Sequence, residues 1–211
     1  DSLYGTFECR TVDQLLVFGS NGRVYSVAAS ALPGARGAGV PVTTLIDLAS
    51  GTRILHYFAG AADTGLLIAS STGVGFTAKA GDMISRNKSG KAFITLDDDA
   101  TLFAPVVIAA EDSAVACLSG NGRLLVFPLA EVKALSSGGR GVILMDLEDK
   151  EALLLVETVT DKGVRITGIG RGAKPQEVLI ANSALQIHLG KRAKKGKPLD
   201  SKIKAQFLLR I

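Results

Sequence analysis

The sequence predicts an all-β domain of propeller-like architecture, and three observations lead to this fold class. Short apolar runs are separated by glycine turns, the pattern of runs and turns recurs about every 50 residues, and no segment keeps helical periodicity beyond a turn or two. About four strands in each ~50-residue repeat is the arithmetic of a propeller blade. Blades bury their faces on their neighbours, so we expect the repeats to fold together and not singly.

The first half of each repeat is a predicted β-hairpin. Three hairpins cover residues 15–27, 66–78 and 115–127, and their turn glycines, Gly22, Gly73 and Gly122, lie 51 and 49 residues apart. Asn precedes two of these glycines, and Asn-Gly between apolar runs is the strongest short hairpin signal. It predicts a tight primed turn with positive φ at its central residues.

The second half of each repeat is a glycine-containing basic loop followed by two apolar strands. A fourth, looser copy has a predicted hairpin over 178–181 and 185–189, and residues 164–174 add a strand or lobe before it. One turn of helix is possible at 81–86 and at 130–135. The basic loops are loop 1 (33–39), loop 2 (86–91), loop 3 (137–141) and loop 4 (191–197).

Residues 1–13 match only the second half of a repeat, so the chain is expected to begin inside a repeat of a longer protein. The predicted organisation is a single domain. Its parts are a half blade at 1–13 and blades at 14–63, 64–113, 114–163 and 164–211.

Composition favours a globular domain of a reducing compartment. Hydrophobic residues make up 47% of the 211 positions and Trp is absent, which predicts a largely aliphatic core. No apolar run reaches the ~18 residues of a membrane span, and no export signal is visible. Cys117 lies in an apolar run and is interpreted as a reduced core residue. We therefore expect a cytoplasmic protein.

Charge is unevenly distributed along the chain. Residues 97–160 hold eleven acids and four bases, a net charge of −7, whereas residues 187–211 hold eight bases and one acid, a net charge of +7. Such asymmetry is typical of a polyanion-binding end, and equally of a solvated lysine-rich tail.

Three stretches carry a resemblance to a known family: residues 22–25 with 32–37, residues 85–92 with 94–96, and residues 187–192. Together they resemble the C-terminal domain of the bacterial topoisomerase IV A subunit, in the gyrase A-like family of type IIA topoisomerases. The resemblance implies a β-pinwheel, a propeller-like fold in which adjacent blades exchange hairpins. It implies about five blades of four-stranded antiparallel sheet, the first of them incomplete.

The resemblance also implies a function. Members bind duplex DNA along a basic outer rim, bend it, and present a segment to the catalytic core for strand passage in decatenation and supercoil relaxation. The expected partners are duplex DNA, the topoisomerase IV catalytic core and the enzyme's B subunit, with no membrane and no cofactor in this domain. The isolated domain is expected to be a monomer in the cytoplasm, associated with the nucleoid.

Loop 3 bears on the choice between topoisomerase IV and gyrase. Gyrase carries a Gln-x-x-Gly-Gly-x-Gly box that supports DNA wrapping, and the nearest string here, at 136–141, lacks the leading Gln and basic residue. This departure favours topoisomerase IV. A box elsewhere in a longer protein leaves gyrase open.

Lysine and arginine in the glycine-containing loops are the candidate DNA contacts, because cations neutralise phosphates and glycine lets backbone N–H groups approach them. The residues chosen are Arg36, Arg86, Lys88, Lys91, Arg140, Lys191, Arg192, Lys194, Lys195 and Lys197. Arg23 and Arg123, beside the turns, are second choices that could equally be solubilising charges on the opposite edge. Loop 4 should bind DNA most tightly and the third blade least.

No pattern in this chain points to catalysis or to a metal site. The family's catalytic tyrosine belongs to an upstream domain, so Tyr4, Tyr25 and Tyr57 are interpreted as packing residues. His56 and His188 are interpreted as structural or exposed, and Asp97, Asp98 and Asp99 as a solvated acidic loop. The glycine-rich stretch 168–172 lacks the strand–helix context of a nucleotide site. A protein-interaction propeller, suggested by the acidic middle, is the alternative of a different class.

Overall fold

The computed structural model describes residues 3–34 and 36–211, and it is built almost entirely of β-strands. Residues 1 and 2 of the predicted half blade, and Ala35 of loop 1, lie outside the described residues. In chain order the strands are β1 (Gln14–Gly19), β2 (Arg23–Ala28), β3 (Ile54–Gly60), β4 (Gly65–Ala69), β5 (Val74–Lys79), β6 (Lys91–Ala92), β7 (Val106–Val107), β8 (Ala114–Ser119), β9 (Arg123–Pro128), β10 (Val142–Ile143), β11 (Leu153–Val159), β12 (Val164–Ile169), β13 (Pro175–Ile180), β14 (Lys197–Pro198) and β15 (Lys204–Arg210).

Helical structure is limited to short segments. The α-helix α1 spans Asn182–His188, and the 3-10 segments are Ala29–Ala31, Val42–Thr44, Ala80–Met83, Leu129–Glu131 and Arg171–Ala173. The single helical turns expected near residues 81 and 130 are present as two of these. No helix in the described part of the chain has the length and hydropathy needed to cross a membrane.

Three four-stranded antiparallel sheets share one plan. Their strand orders are β3-β1-β2-β6, β7-β4-β5-β10 and β11-β8-β9-β14, so a hairpin forms the centre of each. The strand beside the second hairpin strand always comes from the next repeat along the chain. This exchange between neighbouring sheets confirms the predicted all-β fold class and the β-pinwheel arrangement.

The hairpin turns differ in detail from the prediction. Gly22 lies in the left-handed region with φ of 73°, but Asn21 does not, so only one residue of the turn has positive φ. The Gly22 N–H donates to the carbonyl of Gly19 at 3.0 Å, and three residues separate β1 from β2. This is the three-residue hairpin loop, which needs a left-handed residue only at its last position; the expectation of a two-residue primed turn was wrong.

The turn glycines also join one repeat to the next. Each turn carbonyl accepts backbone N–H groups from the segment that follows an exchanged strand: Gly22 from Phe93 and Ile94, Gly73 from Leu144 and Met145, and Gly122 from Leu199. A Cβ atom on Gly22 would lie 1.9 Å from the carbonyl oxygen of Ile94. Glycine is therefore required there both for its φ and for the close approach of the neighbouring repeat.

Buried apolar side chains fill the spaces between successive sheets. One cluster, with Phe18 and Phe76, joins the first sheet to the second, and others join the second to the third and the third to the fourth. Cys117 is completely buried in the second cluster, as predicted, and burial raises the pKa of its thiol well above the usual range. No cluster of described residues joins the first sheet to the last, so the sheets form a stack with two ends.

The two ends of the stack are different. The outer face of the first sheet is covered by Leu32 and by residues 42–48, where Ile46 packs on Val17 and Tyr25. The fourth sheet, β13-β12-β15, buries one face on the third sheet. Its other face leaves Leu179 and Phe207 mostly exposed.

The fourth sheet corrects the sequence interpretation of the last repeat. The predicted hairpin over 178–181 and 185–189 is absent, because β13 pairs with β12 and residues 182–188 form helix α1. Leu185 and His188 are its buried residues, and this spacing of three belongs to one face of a helix. The stretch interpreted as an insertion supplies β12 and the turn of the true hairpin.

Residues 3–13 contain no strand. Tyr4 and Phe7 instead pack edge-on against the aromatic rings of Tyr57 and Phe58 in β3. The Tyr4 hydroxyl accepts the backbone N–H of Tyr57 at 3.3 Å. The segment that holds Tyr4 and Phe7 therefore packs against the first sheet without forming a strand of it.

Candidate nucleic-acid interface

Loops 2, 3 and 4 lead into the exchanged strands β6, β10 and β14, and directly before each strand lies a glycine with positive φ. The glycines are Gly90, Gly141 and Gly196, with φ of 61°, 88° and 71°. A Cβ atom at any of them would lie within 2.6 Å of a carbonyl oxygen of the preceding sheet's hairpin. The glycines thus let each loop press against the edge of the sheet before it.

A second backbone contact fixes the body of each loop. The N–H of Asp47 donates to the carbonyl of Lys88 at 2.9 Å, and that of Asp146 donates to the carbonyl of Lys194 at 3.1 Å. In loop 3 the equivalent donor is Thr95, which reaches the carbonyl of Gly139 at 3.0 Å. Lys88, Gly139 and Lys194 therefore occupy the same place in successive repeats, and the three loops follow one another along the same edge of the stack.

Loop 2 presents two cations that have no ion-pair partner among the described residues. Arg86 and Lys88 are exposed, and no carboxylate among the described residues lies within ion-pair distance of either. Arg23 lies behind the loop and not on an opposite edge: its guanidinium donates to the carbonyls of Ser89 at 3.0 Å and Gly90 at 2.8 Å. Its donors hold the loop in place, which makes Arg23 a positioning residue.

Lys91, also chosen from loop 2, is directed into the protein. Its ammonium donates to the carbonyl of Asp82 and lies 5.2 Å from the centre of the Phe93 ring. The corresponding residue at the end of loop 4, Lys197, is exposed. The same position in the repeat thus carries a structural lysine in one copy and a solvent-facing lysine in another.

Loop 3 has one cation, and it is already paired. The Nε and Nη2 atoms of Arg140 each donate to a carboxylate oxygen of Asp97 at 2.9 Å. The hydrogen bonds from Arg140 lower the pKa of Asp97. Asp97 belongs to the stretch interpreted from sequence as a solvated acidic loop, and its role as the partner of a basic loop was missed, since a separation of 43 residues leaves no local signal.

Loop 4 combines exposed and engaged cations. Lys191, Lys194 and Lys197 are exposed, with no ion pair among the described carboxylates. Lys195 lies 3.6 Å from a carboxylate oxygen of Glu148, a residue that also pairs with Arg123 at 3.4 Å.

Arg192, the remaining candidate of loop 4, is half-buried and hydrogen-bonded to the rest of the fold. Its Nη1 donates to the carbonyl of Ile143 and its backbone N–H to a carboxylate oxygen of Glu131. It therefore fixes the start of the loop and does not project from it. Arg36, in loop 1, is exposed. Its loop follows the hairpin of the first sheet, and the described residues form no earlier sheet against which it could dock.

The histidines and Tyr25, which the sequence also singled out, are engaged within the fold. His56 is within 2.8 Å of the carbonyl of Leu102, His188 is buried, and Tyr25 is completely buried. The described residues contain no cluster of three or more His, Cys, Asp or Glu that could hold a metal ion. The glycine-rich stretch 168–172 runs from β12 through the 3-10 segment Arg171–Ala173 into β13, and not into an α-helix.

Comparison with known proteins agrees with this geometry. The family model described as DNA gyrase C-terminal domain, beta-propeller, matches residues 13–48, 66–109 and 114–160. The chain is 32% identical over 190 residues to the A subunit of DNA topoisomerase 4 from Neisseria gonorrhoeae, and 31% identical over 198 residues to its counterpart from Escherichia coli K12. These alignments cover 87% and 94% of this chain but 24% of each relative, so the chain spans about a quarter of their length.

Solved structures show the same architecture. The C-terminal domain of E. coli ParC superposes with a TM-score of 0.83 and 26% identity, covering 95% of this chain and 82% of that one. A DNA gyrase A C-terminal domain superposes with a TM-score of 0.68 over 96% of this chain and 67% of that one. At 19% identity the latter supports the fold alone.

Proposed function

The chain belongs to the family of DNA gyrase C-terminal β-propeller domains, and from this premise we propose that it is a non-catalytic DNA-binding domain of a topoisomerase IV A subunit. The observation that carries the proposal is the repeated placement of loops 2, 3 and 4 along one edge of the stack. Equivalent backbone contacts fix Lys88, Gly139 and Lys194 in all three.

The physical argument rests on the spacing of charge in duplex DNA. Phosphates follow one another along the backbone, and cations that neutralise them release counterions and supply affinity without sequence information. Loops repeated on successive sheets offer such cations at several points, so a duplex that follows the edge must bend. Bending 20–30 base pairs costs roughly 1–6 kcal/mol, which several charged contacts together can offset.

Topoisomerase IV is preferred to gyrase on two grounds. The relatives at 31–32% identity bear the name of the topoisomerase IV A subunit, whereas loop 3 lacks the gyrase-type box. Its one arginine is engaged by Asp97. In the whole enzyme the domain would bend DNA and present a segment to the catalytic core and the B subunit for decatenation and relaxation.

Charge reversal in loop 2 tests the proposal. We expect R86E/K88E to weaken binding of a fluorescent duplex of about 40 base pairs by at least tenfold. The slope of log K against log salt should fall by about 0.9 for each phosphate that is no longer neutralised. Fluorescence anisotropy at several salt concentrations measures both quantities.

The matched control is K79E/K162E, which makes the same change in net charge. Lys79 and Lys162 are exposed and lie at the opposite edge of their sheets from the hairpin turns. This variant should bind DNA almost as the unmodified chain does. Equal weakening by both variants would place the contact elsewhere, and no binding near physiological salt by the unmodified chain would favour a protein-interaction domain.

A further inference from the structure

Among the described residues the fourth sheet has three strands, whereas each of the other three sheets has four. In those sheets the second hairpin strand is covered by a two-residue strand from the next repeat, with a basic loop before it. β13 occupies the same place in the fourth sheet, since it pairs with β12 as β2 pairs with β1. No strand among the described residues pairs with its outer edge, and its residues Pro175–Glu177 are exposed.

The hairpin turn of this sheet is also different. In the other three sheets three or four residues join the strands, whereas here five residues, 170–174, separate β12 from β13. The Gly170 N–H donates to the carbonyl of Lys174 at 2.8 Å, which closes the turn. Arg171 and Lys174 are both exposed, and no atom lies within 4 Å of the position of a Cβ on Gly172, so the turn projects freely.

Two more cations lie at the same end of the sheet. Lys204 in β15 pairs with Ile169, the last residue of β12 before the turn. Ser201, beside Lys202, accepts a hydrogen bond from Gln176 at 3.1 Å, which brings that segment against the start of β13. We call these four exposed residues the terminal basic tip: Arg171, Lys174, Lys202 and Lys204.

The terminal basic tip is unpaired in the described structure. Glu177 and Asp200 lie nearby in sequence, but no described carboxylate is within ion-pair distance of any of the four cations. Arg140 and Lys195, by contrast, each have a carboxylate partner. The tip thus presents a denser set of uncompensated positive charge than loop 3.

We propose that the terminal basic tip is a second DNA-backbone site, formed by the hairpin turn of the fourth sheet and the residues around the start of β15. The inference rests on the proposed function and extends it. A duplex that follows loops 2, 3 and 4 continues onto the turn of the fourth sheet, where its phosphodiester groups meet the tip. The ligand class is the DNA backbone, read without sequence preference.

The test compares duplexes of two lengths on the complete 211-residue chain. We expect R171E/K174E to weaken binding of a duplex of about 40 base pairs roughly tenfold, and to lower its salt slope by about two. A duplex of about 15 base pairs, which the other loops can hold, should lose less than about twofold. K79E/K162E is the charge-matched control, and R171Q/K174Q is a milder variant that keeps the turn if Glu disturbs it.

The outcomes separate this inference from the function on which it rests. If R86E/K88E weakens binding and neither tip variant does, the tip is no DNA site and the proposed function stands. If the unmodified chain does not bind DNA near physiological salt, the DNA-binding function itself fails. An equal loss of affinity for both duplexes would contradict the proposal that the tip extends the DNA path beyond loop 4.

Discussion

Single side chains decide how much of each basic loop is available to a ligand. Arg140 gives two of its donors to Asp97, in the bidentate geometry that would otherwise suit a phosphate. Both residues are exposed to solvent, so the pair adds little to stability. Its main effect is electrostatic: an acidic group stands in the place where the DNA backbone would approach loop 3.

Removing that acidic group should strengthen DNA binding. We expect D97N to raise affinity for a duplex of about 40 base pairs about two- to fivefold, since it frees Arg140 and deletes one repulsive charge. D98N is the matched control, because this substitution at the neighbouring position removes the same charge without breaking the pair. If D97N and D98N bind equally, Arg140 contributes nothing to the DNA contact.

Hairpins and their joints are the elements that build the fold. The turn at Gly22 and the turn at Gly122 have nearly the same φ, 73° and 74°. They differ in surroundings, because a Cβ on Gly22 would collide with the carbonyl of Ile94, while nothing lies within 4 Å of one on Gly122. Gly122 is therefore needed only for its positive φ, whereas Gly22 is needed both for its positive φ and for the close approach of the neighbouring segment.

Alanine at these two positions should give different losses of stability. We expect G122A to lower the free energy of unfolding by about 1–2 kcal/mol, the cost of a left-handed alanine. G22A should cost at least about 1 kcal/mol more, because the segment after β6 must also move away. Urea unfolding followed by circular dichroism measures both losses. Equal losses would show that the segment after β6 moves away from Gly22 at no cost in free energy.

Local patterns in the sequence are enough to predict the hairpins but not their exchange. Apolar runs on both sides of a glycine turn identify β1–β2, β4–β5 and β8–β9, since apolar runs and turn residues are both local features of the sequence. Strands such as β6 and β10 have two residues each, and nothing local says which sheet they join. The last hairpin is misplaced by sequence because its five-residue turn lacks Asn-Gly and the apolar residues of α1 resemble a strand.

The basic loops, like the hairpins, can be predicted from local sequence, whereas the partners of several of their side chains cannot. The basic loops are visible in the sequence because glycine and lysine cluster along the chain. Arg140 and Arg192 are engaged by groups distant along the chain, Asp97 and Ile143, and only the folded arrangement reveals these contacts.

Across the stack of sheets, a network of ion pairs joins the fourth sheet to the third. Arg210 in β15 pairs with Asp112 at 3.2 Å and with Glu157 of β11 at 3.6 Å. Glu157 is largely buried, and this burial raises the pKa of its carboxyl group in spite of the nearby arginine. The network therefore holds an ionised form that its surroundings disfavour.

Stability should depend on pH through this group. A raised pKa in the folded state gives a contribution that is complete below the unfolded value of about 4.3 and is lost as the pH rises through the folded value. The unfolding free energy of E157Q relative to the unmodified chain should therefore increase from about pH 4 to about pH 7. Urea titrations at several pH values measure this difference, and a difference that is constant or falls with pH would contradict the role assigned to Glu157.

The exchange of strands between sheets has a consequence for how such a chain can grow or shrink. A gene segment that encodes one repeat does not encode one sheet, because a strand of each repeat completes the sheet of its predecessor. Deleting one copy therefore removes the donated edge strand of the preceding sheet, and the copy that follows supplies the same sheet with a substitute. The number of copies can change during evolution without unpaired edges inside the array, provided that every copy keeps the glycine at its joint.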